Sequence, residues 1–91
     1  MSKLGSAQIN KALASVKGWK KKGSTITRTY QLKDFPAALR FVNAVGRRAE
    51  KAWHHPDIDI RWNKVILTLT THDAGGLTKK DFSLARMFDR I

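Results

Sequence analysis

The residues of this chain best suited to chemistry lie between Glu50 and Asp81. His54 and His55 are adjacent, and Pro56 behind them forces the backbone to turn. Neighbouring imidazoles can thus point in different directions within one small volume. Glu50 lies four residues before His54, so on a helix the two share a face and the carboxylate can hold or charge the ring. His72 closes a β-branched run at a loop, the usual place for a functional side chain on a rigid element. Imidazoles titrating near neutral pH beside carboxylates are what general acid–base catalysis needs. All three histidines and six of the seven carboxylates fall in residues 49–91, so such chemistry belongs there.

Other chemistries find less support. The chain has no cysteine, which excludes thiolate nucleophiles, disulfide scaffolds and cysteine-based zinc fingers. Vicinal histidines without a third ligand on the same element make a poor metal site, so no metal is expected. Phosphate-loop, dinucleotide and nucleophile-elbow motifs are absent. Each candidate also has a plainer role. His54 and His55 suit a helix end, where positive charge meets the dipole. His72 could be an exposed strand-end residue, and Asp81 the acid of a helix cap. Trp19, Trp53 and Trp62 read as core or interface aromatics, though one could wall a flat heterocycle.

The elements that would position these residues follow from periodicity. Ser6 can cap a first helix on Ile9, Leu13 and Val16, with Gly18 as its left-handed stop. Trp19 opens a short basic segment, Gly23 marks a turn, and residues 24–32 alternate as a strand with Ile26, Arg28, Tyr30 and Leu32 on one face. Asp34 can cap a second helix, with Pro36 in its first turn and Phe35, Leu39, Val42, Ala49 and Trp53 as its apolar stripe. Ile58, Ile60 and Trp62 alternate against Asp57, Asp59 and Arg61 as a third strand. A turn at Asn63-Lys64 leads into a fourth strand, with Val65, Leu67 and Leu69 on one face. After Gly75-Gly76, Thr78 and Asp81 form a capping box and Leu77 and Phe82 a hydrophobic staple. They open a third helix on Phe82, Ala85, Phe88 and Ile91. The order is α-β-β-α-β-β-α: an α+β fold with helices on one face of a four-stranded antiparallel sheet.

Ninety-one residues leave room for one core, so residues 1–91 read as a single domain. Eighteen basic against seven acidic residues give a net charge of +11, and residues 1–48 hold eleven Lys and Arg against one acid. That field makes polyanions candidate partners, with any nucleic-acid binding non-specific and weakened by salt. No apolar stretch is long enough to span a bilayer, and no leader-like block opens the chain, so a cytoplasmic protein is expected.

The spacing as a whole is more specific than any of its parts. Glu50-x-x-x-His54-His55-Pro56, five residues, Trp62, nine residues, His72, eight residues and Asp81 resembles the signature of the pterin-4a-carbinolamine dehydratases. The surrounding residues are similar too: Trp62-Asn63-Lys64-Val65, the run from Thr70 to Thr78, and upstream Gly18-Trp19 and Lys33-Asp34-Phe35. The resemblance spans roughly residues 18–91.

The resemblance implies dehydration of 4a-hydroxytetrahydropterin to quinonoid dihydropterin, which recycles the cofactor of aromatic amino acid hydroxylases, with no cofactor of its own. It implies His54, His55 and His72 as the catalytic trio, with His54 and His72 the main proton-transfer groups. Glu50, Trp53, Thr70, Thr71 and Asp73 would contact the pterin, Glu50 also tuning His54. Asp81 would support the His72 loop. Trp53 departs from the polar residue often found there in the family. A homodimer or homotetramer is implied as well. The alternative is a non-catalytic binding protein, either a transcription-factor dimerisation cofactor or an assembly factor, using its basic surface.

Overall fold

The computed structural model describes residues 2–91. The first helix, α1, runs Ser6–Leu13. Its cap is Gly5, not Ser6, because Gln8 reaches back to accept the Gly5 amide at 2.9 Å. Ser6 is already inside the first turn. The helix then stops short of Val16, and two tight turns carry Val16 and Trp19 into the core. Gly18 is not left-handed as expected; Gly23 and Gly75 are the glycines with positive φ. Gly18 instead lies under the Arg28 guanidinium, which a Cβ there would push aside.

Four strands form one antiparallel sheet: β1 Lys20–Lys22, β2 Thr25–Gln31, β3 Asp57–Arg61 and β4 Lys64–Leu69, in the order β1-β2-β4-β3. The three exposed lysines of β1 make that edge a poor template for another strand. Val65, Leu67 and Leu69 of the central β4 are fully buried, as their alternation requires. The hairpin turn lies one residue earlier than expected, on Trp62-Asn63, with Arg61 paired to Lys64. Asn63 fixes it there, exchanging its backbone oxygen and side-chain amide with the backbone of Leu32. Trp62 therefore leaves the strand face and stands on the turn, 69% exposed.

Helix α2 runs Phe35–Ala52, and Asp34 caps it by accepting the Ala37 amide at 2.9 Å. Its buried face is Ala38, Phe41, Val45 and Ala49. The expected stripe follows the larger residues instead, and of these only Ala49 is fully inside; Phe35 and Leu39 remain exposed. Small alanines let the helix sit close to the sheet, which leaves the bulkier side chains on its outer flank.

Helix α3, Lys79–Phe88, opens with the expected cap: Thr78 donates its amide to Asp81 Oδ2 at 2.9 Å. Leu77, Phe82, Leu84, Ala85 and Phe88 join the core, whereas Ile91 lies beyond the helix and exposed. At the far end of α3, Asp89 Oδ1 accepts from Trp19 Nε1, Arg28 Nη1 and the Tyr30 hydroxyl, fastening the helix to β2. Among the described residues no helix is long and apolar enough to cross a membrane.

Candidate active site

The site forms where α2 ends and β4 gives way to α3. Trp53 caps α2 in the left-handed conformation, φ 53° and ψ 44°. The Trp53 amide bonds back to Glu50 and the His54 amide to Ala49, the paired bonds that close a helix with a reversal of direction. Glycine usually takes that position; here tryptophan does. The reversal throws His54 off the helical face it would otherwise share with Glu50.

His54 turns inward, its side chain 12% exposed, and its Nε2 lies 2.6 Å from Asp81 Oδ1. Asp81 is wholly buried, and its other oxygen accepts the Thr71 hydroxyl at 2.8 Å and the Thr78 amide at 2.9 Å. The Thr71 and Thr78 hydroxyls bond to each other at 2.8 Å. His55 turns outward to Glu50, 2.9 Å away, and the Trp53 ring stands edge-on to it at 5.2 Å. The expected partners are thus exchanged. Glu50 holds His55, not His54, and Asp81 holds His54, reaching the His72 loop only through Thr71.

β4 ends at Leu69, and His72 begins a short 3₁₀ turn, His72–Ala74, closed by left-handed Gly75. Its backbone is anchored by the pairing of Thr71 with Gly76. This turn faces the end of α2 across an open cavity of about 480 Å³, bordered by Trp53, His54, His55, Thr70, Thr71, His72, Asp73 and Lys80. That volume suits a small molecule. Glu50 and Asp81 do not border it. The Thr70 hydroxyl is engaged by Ser24 and that of Thr71 by Asp81, so for a ring in the cavity the free side-chain groups are the imidazoles, Asp73, Lys80 and the Trp53 face. Lys80 was not singled out from the sequence; its place immediately before the capping Asp81 was the available signal. A second hollow, beside Val42, Gly46, Arg47 and Ile58, carries no histidine.

The cavity therefore gathers three imidazoles, a carboxylate and an ammonium around space for one flat ring, the makings of proton transfer at a heterocycle. The model of the pterin 4 alpha carbinolamine dehydratase family matches residues 2–91. The chain belongs to that family. It is 54% identical over 90 residues to a relative from Roseiflexus sp. (strain RS-1) named for pterin-4-alpha-carbinolamine dehydratase, covering 99% of this chain and 97% of the relative. A relative from Chloroflexus aurantiacus, named likewise, is also 54% identical, over all of this chain and 98% of its own length.

Among solved structures, a transcriptional coactivator/pterin dehydratase from Brucella Melitensis superposes with a TM-score of 0.94 at 35% identity, covering 98% of this chain and 97% of that one. A pterin dehydratase-like protein described as a RuBisCO assembly factor in the alpha-carboxysome shares the fold, with a TM-score of 0.65 at 18% identity over 79% and 83% of the two chains. The fold read from periodicity is the fold of the family.

Proposed function

We propose that this protein dehydrates 4a-hydroxytetrahydropterin to quinonoid dihydropterin by histidine acid–base catalysis. The observation that carries the reading is the meeting of His54, His55 and His72, from two separate elements, around one cavity able to admit a bicyclic ring. One imidazole donates a proton to the hydroxyl on carbon 4a, and the C–O bond breaks as water leaves. Another takes the proton from the adjacent ring nitrogen, whose N–H electrons become the new C=N bond. Atoms and charge balance without any redox step. His54 and His72 perform the two transfers, and His55, braced by Glu50, orients the ring. Trp53 walls one face, while Asp73 and the backbone at Thr70 and Thr71 hold the polar edge. Positioned proton transfer is worth roughly 10²–10⁴-fold.

The expected homo-oligomeric state, cytoplasmic location and single functional unit of residues 1–91 belong to the same proposal. Exposed Phe35 and Leu39 on α2, with Ile58 on the β3 edge, favour burial against a second copy. A binding role beside catalysis is favoured by the exposed Lys20–Lys22 strand.

The test is stopped-flow dehydration of chemically prepared 4a-hydroxytetrahydropterin. Wild-type protein accelerates it, and His54→Ala or His72→Ala slows it at least about tenfold. Wild-type turnover equal to that in buffer removes the enzyme reading.

A further inference from the structure

The chain of buried groups behind His54 bears on which of its nitrogens carries the proton. Asp81 has two oxygens and three partners. The Thr71 hydroxyl and the Thr78 amide both donate to Oδ2, and His54 Nε2 meets Oδ1. Thr71 gives its one proton to Asp81, so in the 2.8 Å contact between the hydroxyls Thr78 is the donor. Every proton in the chain then points toward the carboxylate. Asp81 is also the third residue of α3, where the helix dipole favours negative charge.

A neutral acid at Asp81 would have to donate to His54 while its other oxygen held two donors aimed at it. The network fits a carboxylate instead, with Nε2–H as donor. The other ring nitrogen of His54 makes no hydrogen bond among the described residues. Yet no buried side-chain nitrogen or oxygen there lacks a partner, so Nδ1 is not buried; the ring borders the candidate cavity and a smaller hollow beside Lys79, Ser83 and Met87.

We propose that Thr71 and Thr78 are positioning residues that act through Asp81 to hold His54 protonated at Nε2, presenting a bare Nδ1 to the cavity as the base. The word base rests on the dehydratase reading; the tautomer does not. His55 has no such backing. Its carboxylate partner Glu50 is 68% exposed, with no hydroxyls behind it, and water competes for both groups. Threonine suits both relay positions. Its hydroxyl joins the chain while its methyl packs in the interior, so valine removes the proton donor and keeps the shape.

The experiment is ¹⁵N NMR of the His54 ring in uniformly labelled protein, at a pH where the ring is neutral, with dehydration kinetics in parallel. In the wild type, Nε2 shows the shift of a protonated nitrogen and Nδ1 that of a bare one. Thr71→Val and Thr78→Val move both shifts toward a mixture of tautomers, with KM within about twofold. Thr71→Val lowers kcat about tenfold, as for loss of one hydrogen bond to a charged group, and Thr78→Val, which loses only a bond between neutral hydroxyls, about fivefold. Thr71→Ser and Thr78→Ser restore both readouts. A wild-type His54 protonated at Nδ1 overturns the proposal, as do valine variants that leave tautomer and kcat unchanged. Should a valine variant fail to fold, the wild-type spectrum and the serine variants still decide. Tautomer shifts that move as expected in a protein without turnover uphold the positioning and remove only the dehydratase.

Discussion

Trp53→Gly is expected to stabilise the protein while weakening its hold on pterin. Trp53 sits at φ 53° and ψ 44°, where the Cβ of an L-residue crowds the following carbonyl at about 1–2 kcal/mol. Glycine removes that strain but returns about 0.5–1 kcal/mol through the greater freedom of its unfolded chain. The indole is 71% exposed, so little apolar burial is lost. Its edge contact with His55 adds about 0.5 kcal/mol at such a site. The balance at mid-range is a gain of about 0.25 kcal/mol, which raises Tm by about 1–2 °C in a domain this small. Stacking of a flat heterocycle on an aromatic face is worth about 1–3 kcal/mol. Loss of the indole then weakens binding about 5- to 150-fold. Scanning calorimetry reads the first quantity, and fluorescence titration with a 7,8-dihydropterin reads the second. A drop in Tm of several degrees refutes the strain argument. Unchanged affinity refutes the aromatic wall.

Three further predictions concern residues outside the cavity. Asp89→Ala leaves Trp19, Arg28 and Tyr30 without their shared acceptor and is expected to cost about 2 kcal/mol in urea unfolding. Arg61→Ala, which breaks the exposed pair with Asp59, stays within about 0.5 kcal/mol of wild type. The Tyr30 hydroxyl is pushed well above the usual tyrosine range, first by burial and then by its hydrogen bond to Asp89 and the charge of that carboxylate. A raised folded-state value means that the stabilisation is complete below the unfolded tyrosine value near 10 and is lost as pH rises above it. Urea midpoints should therefore fall more steeply for wild type than for Tyr30→Phe above about pH 10; parallel curves would contradict it.

The parts of this fold written in local chemistry were legible in the sequence. Asp34 two residues before Pro36, and Thr78 three before Asp81, are cap patterns that need nothing distant to be read. The face of α2 was not legible in the same way. Phe35, Leu39 and Val42 mark one apolar flank and Ala38, Phe41 and Val45 another, and size alone favours the wrong one. Which flank meets the sheet depends on how closely the backbones approach, a tertiary quantity. The hairpin at Trp62 was displaced for a related reason, since Asn63 is fixed by Leu32, just past the end of β2.

The exchange of partners in the site has a single cause. Spacing of four pairs Glu50 with His54 only while the helix continues, and it ends at a residue whose side chain gave no sign of a left-handed turn. Once Trp53 reverses the chain, the face Glu50 looks along passes to His55, and His54 is delivered to a carboxylate 27 residues further on. Adjacent imidazoles thereby acquire unlike surroundings: one backed by a buried carboxylate and two hydroxyls, the other by an exposed carboxylate in water. Under the proposed dehydration His54 moves a proton while His55 orients the ring, and unlike surroundings suit those unlike roles. The strain at Trp53 is then part of how the site tells its histidines apart, and it persists because the core on one side and the Asp81 relay on the other hold both ends of the turn.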